Sequence, residues 1–177
     1  MRILLLLLIF LSPISAQASK HQPHGVGDVI PKIEAKDQSN DLKKYSDIVG
    51  DKGAILIFYR SVDWCPFCQK QLKEFSALKN EFTQKGYNII GISYDSVESL
   101  KRFDAKNKLG FTLLNDENSN MIRSFGILNM DVAEGSKAYG TPNPAVYVAD
   151  KDGLITHVFK EEGYKARPDI RNIIDAL

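Results

Sequence analysis

Six consecutive apolar residues, Ala54-Ile55-Leu56-Ile57-Phe58-Tyr59, constrain this chain more than any other stretch. A strand with one wet face alternates apolar and polar side chains, so a run without alternation reads as a strand buried on both faces. The residues that follow supply the cover. Over residues 66–85, Leu72, Phe75, Leu78 and Phe82 recur near the helical period, and Gly86 ends the helix. Residues 88–94 read as a second buried strand. Residues 96–108 read as a helix with Ser96 as N-cap and Glu98 near its first turn. A short strand over 111–114 and a short helix over 118–125 come next. Strands at 145–149 and 154–159 are joined by the hairpin turn Asp150-Lys151-Asp152-Gly153, and a helix over 168–177 has Pro168 in its first turn. Upstream, residues 30–33 read as an edge strand interrupted by Pro31, and residues 41–49 as one or two helical turns. Residues 126–144 form the longest irregular stretch. Alternation ending in an antiparallel hairpin predicts an α/β sandwich with a mixed central sheet flanked by helices.

Composition narrows the function classes. Lys and Arg number 23 against 22 Asp and Glu, a net charge of +1, so no basic surplus points to nucleic acid. Two cysteines cannot build a disulfide scaffold, and with three scattered histidines they offer no structural zinc set. The N-terminus stands apart. Arg2 precedes nine apolar residues at positions 3–11, followed by Ala16-Gln17-Ala18. A short apolar run ending in a small-x-small site reads as a cleaved secretory signal over residues 1–18, leaving one domain over 19–177. Nine helical residues rise only about 14 Å, half of a hydrocarbon core, so stable membrane insertion is not expected. The expected location is exported, periplasmic or secreted. Cleavage after Ala18 would expose Ser19-Lys20-His21, whose amine, amides and imidazole can bind Cu(II) in a square plane.

Both cysteines fall in one turn, Trp64-Cys65-Pro66-Phe67-Cys68, just after the buried strand and at the start of a helix. Cys65 falls at or beside the N-cap, where unpaired N–H groups and the helix dipole favour an anion. A thiol of ordinary pKa is only about 3% thiolate at pH 7, and one lowered to about 7 is half thiolate. Pro66 suits the first helical turn. Cys68, one turn in, shares a face with Leu72, Phe75 and Phe82, so Cys68 is expected to be the shielded sulfur and Cys65 the exposed one. That asymmetry suits an attacking and a resolving thiol. A bond between them closes only four residues, removing about 2 kcal/mol of unfolded-state entropy, less than a long loop would. A redox-active pair is therefore preferred to a structural bridge or a metal half-site.

The segment resembles the thioredoxin superfamily. Within it, Phe58-Tyr59-Arg60 and Trp64-Cys65-Pro66-Phe67-Cys68 are similar to the redoxin group around alkyl hydroperoxide reductase and thiol-specific antioxidant proteins, the peroxiredoxin-like family. A second block, Gly140-Thr141-Pro142-Asn143-Pro144-Ala145 running on to Asp150-Lys151-Asp152-Gly153, looks like the family's proline loop and following turn. The resemblance implies a thioredoxin-like fold, with Cys65 and Cys68 as catalytic residues and Thr141, Asn143 and Pro144 in a substrate-binding loop. It implies a cis bond before Pro144, with Pro142 the alternative, and supporting roles for Trp64, Pro66 and Arg60. The chain departs from the family in having Cys65 where a threonine or serine usually precedes the peroxidatic cysteine, and Asn143-Pro144 where an arginine is usual. Arg60 is the candidate substitute. Exchange with protein disulfides makes Cys65 the attacking sulfur; peroxide reduction on the family's alignment makes it Cys68.

Trp64 reads as a cover for the pair or a packing residue, Asp63 as a solvated loop charge and His157 as structural. No histidine neighbours the cysteines in sequence, so a Cys-His hydrolase pairing lacks support. The expectation is an exported thiol-dependent oxidoreductase that reduces peroxides or protein disulfides. It requires no cofactor or metal, and its partner is a thiol reductant, either a thioredoxin-like protein or a membrane electron donor. The alternative is a non-catalytic binding module with a structural Cys65–Cys68 bond.

Overall fold

A computed structural model describes residues 22–163 and 165–177. The expected signal segment over residues 1–18 and the expected Cu(II) site at Ser19-Lys20-His21 lie outside the described residues. In chain order the elements are β1 (Glu34–Asp37), β2 (Leu42–Lys44), α1 (Tyr45–Ile48), β3 (Gly53–Phe58), α2 (Pro66–Ala77), α3 (Lys79–Gln84), β4 (Tyr87–Ser93), α4 (Val97–Asn107), β5 (Thr112–Asn115), α5 (Asn120–Ser124), β6 (Ala145–Asp150), β7 (Ile155–Phe159) and α6 (Ile170–Asp175).

The strands form one sheet in the order β2-β1-β5-β4-β3-β6-β7. β3 pairs parallel to β4 and antiparallel to β6, and β4 pairs parallel to β5, so the sheet is mixed. The six-residue apolar run sits near the centre of the sheet, as its lack of alternation requires. Ile55, Ile57 and Tyr59 face one core with Leu72, Phe75, Phe82, Leu100 and the isoleucines of α6. Ala54, Leu56 and Phe58 face a second core with Ile48, Met121, Ile122 and Phe125. This is the α/β sandwich expected, with helices on both faces.

Three local expectations are revised. Residues 30–33 are not a strand: Val29 makes an isolated bridge to Leu154, and pairing resumes in β1. The span 41–49 is half strand, because β2 turns back onto β1 around Asp37, whose Oδ1 accepts from the amides of Ser39 and Asp41. The helix over 66–85 breaks at Leu78 (φ −103°, ψ 6°), whose N–H is shared between the carbonyls of Glu74 and Phe75. The stripe continues across the break, with the rings of Phe75 and Phe82 5.6 Å apart. The hairpin turn stands as expected, with Gly153 at φ +88° and its N–H donating to Asp150 O.

Candidate active site

The head of α2 is built by one buried carboxylate. β3 ends at Phe58, the Tyr59 amide still bonds to Ile92 O on β4, and the chain then turns through residues 60–64 to α2. Asp95, just beyond β4, accepts from Ser61 Oγ at 2.6 Å, Val62 N at 2.8 Å and Ser93 Oγ at 2.7 Å. Burial pushes its carboxyl above the usual carboxylate range, and the bonds from Ser61, Val62 and Ser93 oppose that rise. Asp63 is not merely solvated: it accepts from Ser99 Oγ at 2.6 Å and pairs with Arg102 at 3.5 Å, tying the turn to α4.

Cys65 is the N-cap of α2, with Pro66 in its first turn, and its Sγ accepts from Cys68 N at 3.2 Å. Cys65 and Cys68 are disulfide-bonded to each other. The expected asymmetry in exposure is corrected: Cys65 is 1% exposed and Cys68 0%. Both pack in the core formed by α2 and α6, because the covering side chain comes from elsewhere. Arg167, in the segment before α6, places Nη2 3.2 Å from Cys68 Sγ and 4.0 Å from Cys65 Sγ. Its Nε donates to the buried Gln71 Oε1 at 3.0 Å and its Nη1 to Ala166 O at 2.7 Å. Burial, with a smaller contribution from the charge of Arg60, pulls Arg167 below the ordinary arginine pKa. No sequence signal marks Arg167: 99 residues separate it from Cys68, and only the topology joins them.

Arg60 does not take the sulfur contact. Its guanidinium lies 4.7 Å over the ring of Trp64. Trp64 Nε1 donates to Tyr94 Oη at 2.8 Å, which donates to Lys137 O at 2.7 Å, so Trp64 fastens the long 126–144 loop beside α2. No peptide bond among the described residues is cis, which corrects the expectation at Pro144 and at Pro142. The loop holds its shape by other means. Leu128 bridges Pro142, Asn143 N donates to Ile127 O at 2.7 Å, and Ala145 pairs directly with Phe58, which suits the extended backbone before a trans proline. Asn143 and Pro144 line a cavity of about 470 Å³ with Arg60, Ile127, Tyr147 and Val158. Thr141 is buried and donates its hydroxyl to Ala138 O within its own loop. Among the described residues no hydrogen bond joins Thr141, Asn143 or Pro144 to either sulfur. His157 lies in β7, its ring stacked on that of Phe159.

A redox couple at the head of a helix, roofed by a guanidinium, can hold a thiolate once reduced. The chain matches the AhpC/TSA family over residues 26–158. It is 31% identical over 139 residues to peroxiredoxin Bcp of Escherichia coli strain K12, covering 78% of this chain and 87% of that protein. It is 32% identical over 137 residues to the chloroplastic peroxiredoxin Q of Sedum lineare, covering 77% of this chain and 69% of that protein. Its fold is similar to the crystal structure of peroxidoxin BcpB from Mycobacterium tuberculosis, with a TM-score of 0.73 at 23% identity, covering 86% of this chain and 95% of that one. Among the described residues no helix is long and apolar enough to cross a membrane.

Proposed function

The chain belongs to the AhpC/TSA family and is a thiol-dependent oxidoreductase, and from that premise we propose that it reduces hydroperoxides through Cys65 and Cys68. The observation that carries the reading is the bond between these two cysteines, buried to 1% and 0% exposure at the head of α2. A small hydroperoxide can reach so enclosed a pair directly, whereas exchange with any protein, the reductant included, requires the head of α2 to open. One thiolate takes the terminal peroxide oxygen, becoming a sulfenic acid as the alcohol or water leaves with a proton. The other thiol condenses with the sulfenic acid, releasing water and forming the disulfide. An external dithiol, on a thioredoxin-like protein or a membrane donor, then reduces the bond by exchange.

A second reading, reduction of protein disulfides, is favoured by the N-cap position of Cys65, whose sulfur accepts the Cys68 amide. Hydrogen peroxide consumption and insulin reduction, both driven by a dithiol, separate the two. Peroxide turnover is expected to be the faster activity in wild type and to be lost in at least one of Cys65→Ser and Cys68→Ser. Equal peroxide rates in all three proteins would sink the peroxidase reading, and equal insulin-reduction rates as well would sink the enzymatic one.

Export of the protein belongs to the same proposal, supported by Arg2, the apolar run and Ala16-Gln17-Ala18. Mass spectrometry of the mature protein is expected to find an N-terminus at Ser19. A chain retaining Met1 or its apolar run contradicts export by cleavage.

A further inference from the structure

The two sulfurs have different anion-stabilising partners. Cys65 has the neutral amide of Cys68 and the partial charge of the α2 N-terminus, roughly half an elementary charge. Cys68 has a full charge: Arg167 Nη2 is 3.2 Å from its sulfur and 4.0 Å from that of Cys65. Hydrogen bonds to ionised donors are roughly twice as strong as neutral ones. Gln71, 3% exposed, fixes the other side of the guanidinium through Nε. Arg167 also lies beyond residues 26–158, the stretch matched to the family.

We propose that Arg167 is a catalytic residue that holds Cys68 as the attacking thiolate, and that Gln71 is the residue that positions it. Given the peroxidase reading on which this rests, Cys68 S⁻ attacks the terminal oxygen of ROOH and the O–O bond breaks. The alkoxide leaves and takes a proton as ROH, and Cys68 becomes S–OH. Cys65, its thiolate favoured by the helix N-terminus, attacks Cys68 Sγ and displaces hydroxide, which leaves as water with the Cys65 proton. Peroxide is reduced by two electrons and the dithiol is oxidised by two. Arg167 touches Cys68 Sγ in the oxidised form, which places it beside the thiolate that reduction would release.

The charged groups around the pair support the assignment. Arg60 acts on Arg167 through its charge, Lys137 lies 6.0 Å from the Trp64 ring, and Lys70, Lys165 and Arg171 line the groove beside Phe67 with Arg167. Glu74 in that groove pairs with Lys70 at 3.7 Å. The nearby carboxylates face other partners: Asp63 meets Ser99 and Arg102, Asp95 meets Ser61, Val62 and Ser93, and Asp169, which lines the same groove as Arg167, accepts from Arg171 N as the N-cap of α6.

The test is the pH profile of alkylation by iodoacetamide in single-cysteine proteins. In Cys65→Ser, adding Arg167→Met is expected to raise the Cys68 midpoint by about one pH unit, a tenfold loss of thiolate below it. Arg167→Lys should retain part of the effect, and Gln71→Leu should move the midpoint the same way by less. In Cys68→Ser, Arg167→Met should shift Cys65 less than it shifts Cys68. An unmoved Cys68 midpoint, or a larger shift at Cys65, overturns the proposal. Circular dichroism checks the fold, and Arg167→Lys with Gln71→Leu carries the test if Arg167→Met does not fold. Dimedone trapping after hydrogen peroxide separates this proposal from its premise. Sulfenic acid on Cys68 in Cys65→Ser supports both, and sulfenic acid on Cys65 alone overturns the assignment of Cys68. Sulfenic acid on neither sulfur, with the Cys68 midpoint still dependent on Arg167, overturns the peroxidase reading. It leaves Arg167 as the group that favours the Cys68 thiolate.

Discussion

Asp95 shows how a single residue sets the position of another. Its carboxylate gathers Ser61, Val62 and Ser93, and so fixes the turn that delivers Cys65 to the head of α2. An amide at this site has one oxygen for three donors. Asp95→Asn is therefore expected to cost about 1–3 kcal/mol in urea unfolding, the penalty of a buried donor left unpaired. The pH dependence has a definite sign. Burial raises the Asp95 pKa, so the native state binds its proton more tightly than the unfolded chain. This contribution to stability is largest below the ordinary carboxyl pKa and falls as pH rises through the raised one. The wild type's advantage over Asp95→Asn should narrow across that window, and a widening advantage would contradict the assignment. The cysteines were legible in sequence because their spacing is local. Asp95 and Arg167 were not, because 34 residues separate Asp95 from Ser61 and 99 separate Arg167 from Cys68. The cis bond expected at Pro144 failed for a related reason: a motif gives the proline, and the partners of Asn143 and Ala145 give the backbone around it.

Elements were legible where they carry apolar pattern. β3, β4 and β6 are nearly continuous apolar runs with strands on both sides, and α2 and α4 carry clear stripes or caps. The β1–β2 hairpin was illegible because its strands, Glu34–Asp37 and Leu42–Lys44, are mostly polar, and Leu42 is 60% exposed. Hydrogen bonding and the turn at Asp37 make that hairpin, and neither leaves an apolar trace. The break at Leu78 was hidden because neither glycine nor proline marks it. The approach of α2 to the sheet depends on Gly91 in β4. A Cβ there would lie 2.7 Å from Leu113 Cδ2 and 3.1 Å from Tyr59 Cε1, with Leu72 of α2 at 3.6 Å. Gly91→Ala is therefore expected to destabilise by about 1–3 kcal/mol, the usual cost of overpacking. Because Tyr59 and Leu72 share a core with both sulfurs, alkylation of the reduced cysteines should also speed up. A variant as stable as wild type would show that the sheet and α2 separate freely, against this packing.

Across the whole molecule the chain's last helix and its cysteines stabilise one core. Ile170, Ile173 and Ile174 of α6 pack with Cys65, Cys68, Leu72 and Phe75, and Arg171 pairs with Glu81 on α3 at 2.6 Å. The segment that carries Arg167 is thus anchored by α6 at one end. Ile173→Ala, at a fully buried position, should cost about 2–5 kcal/mol in urea unfolding. The disulfide itself should contribute less. It closes only residues 65–68, for which loop entropy gives about 2 kcal/mol. Against a typical domain stability of about 5–15 kcal/mol, the reduced protein should remain folded. That is what a catalytic cycle requires, since the dithiol and disulfide must share one scaffold. Urea unfolding with and without dithiothreitol is expected to differ by no more than about 2 kcal/mol, with near-UV circular dichroism retained in both states. A reduced protein that unfolds would return Cys65–Cys68 to the role of a structural bridge. A reduced protein that stays folded leaves the bond a redox function, since its removal then alters stability little.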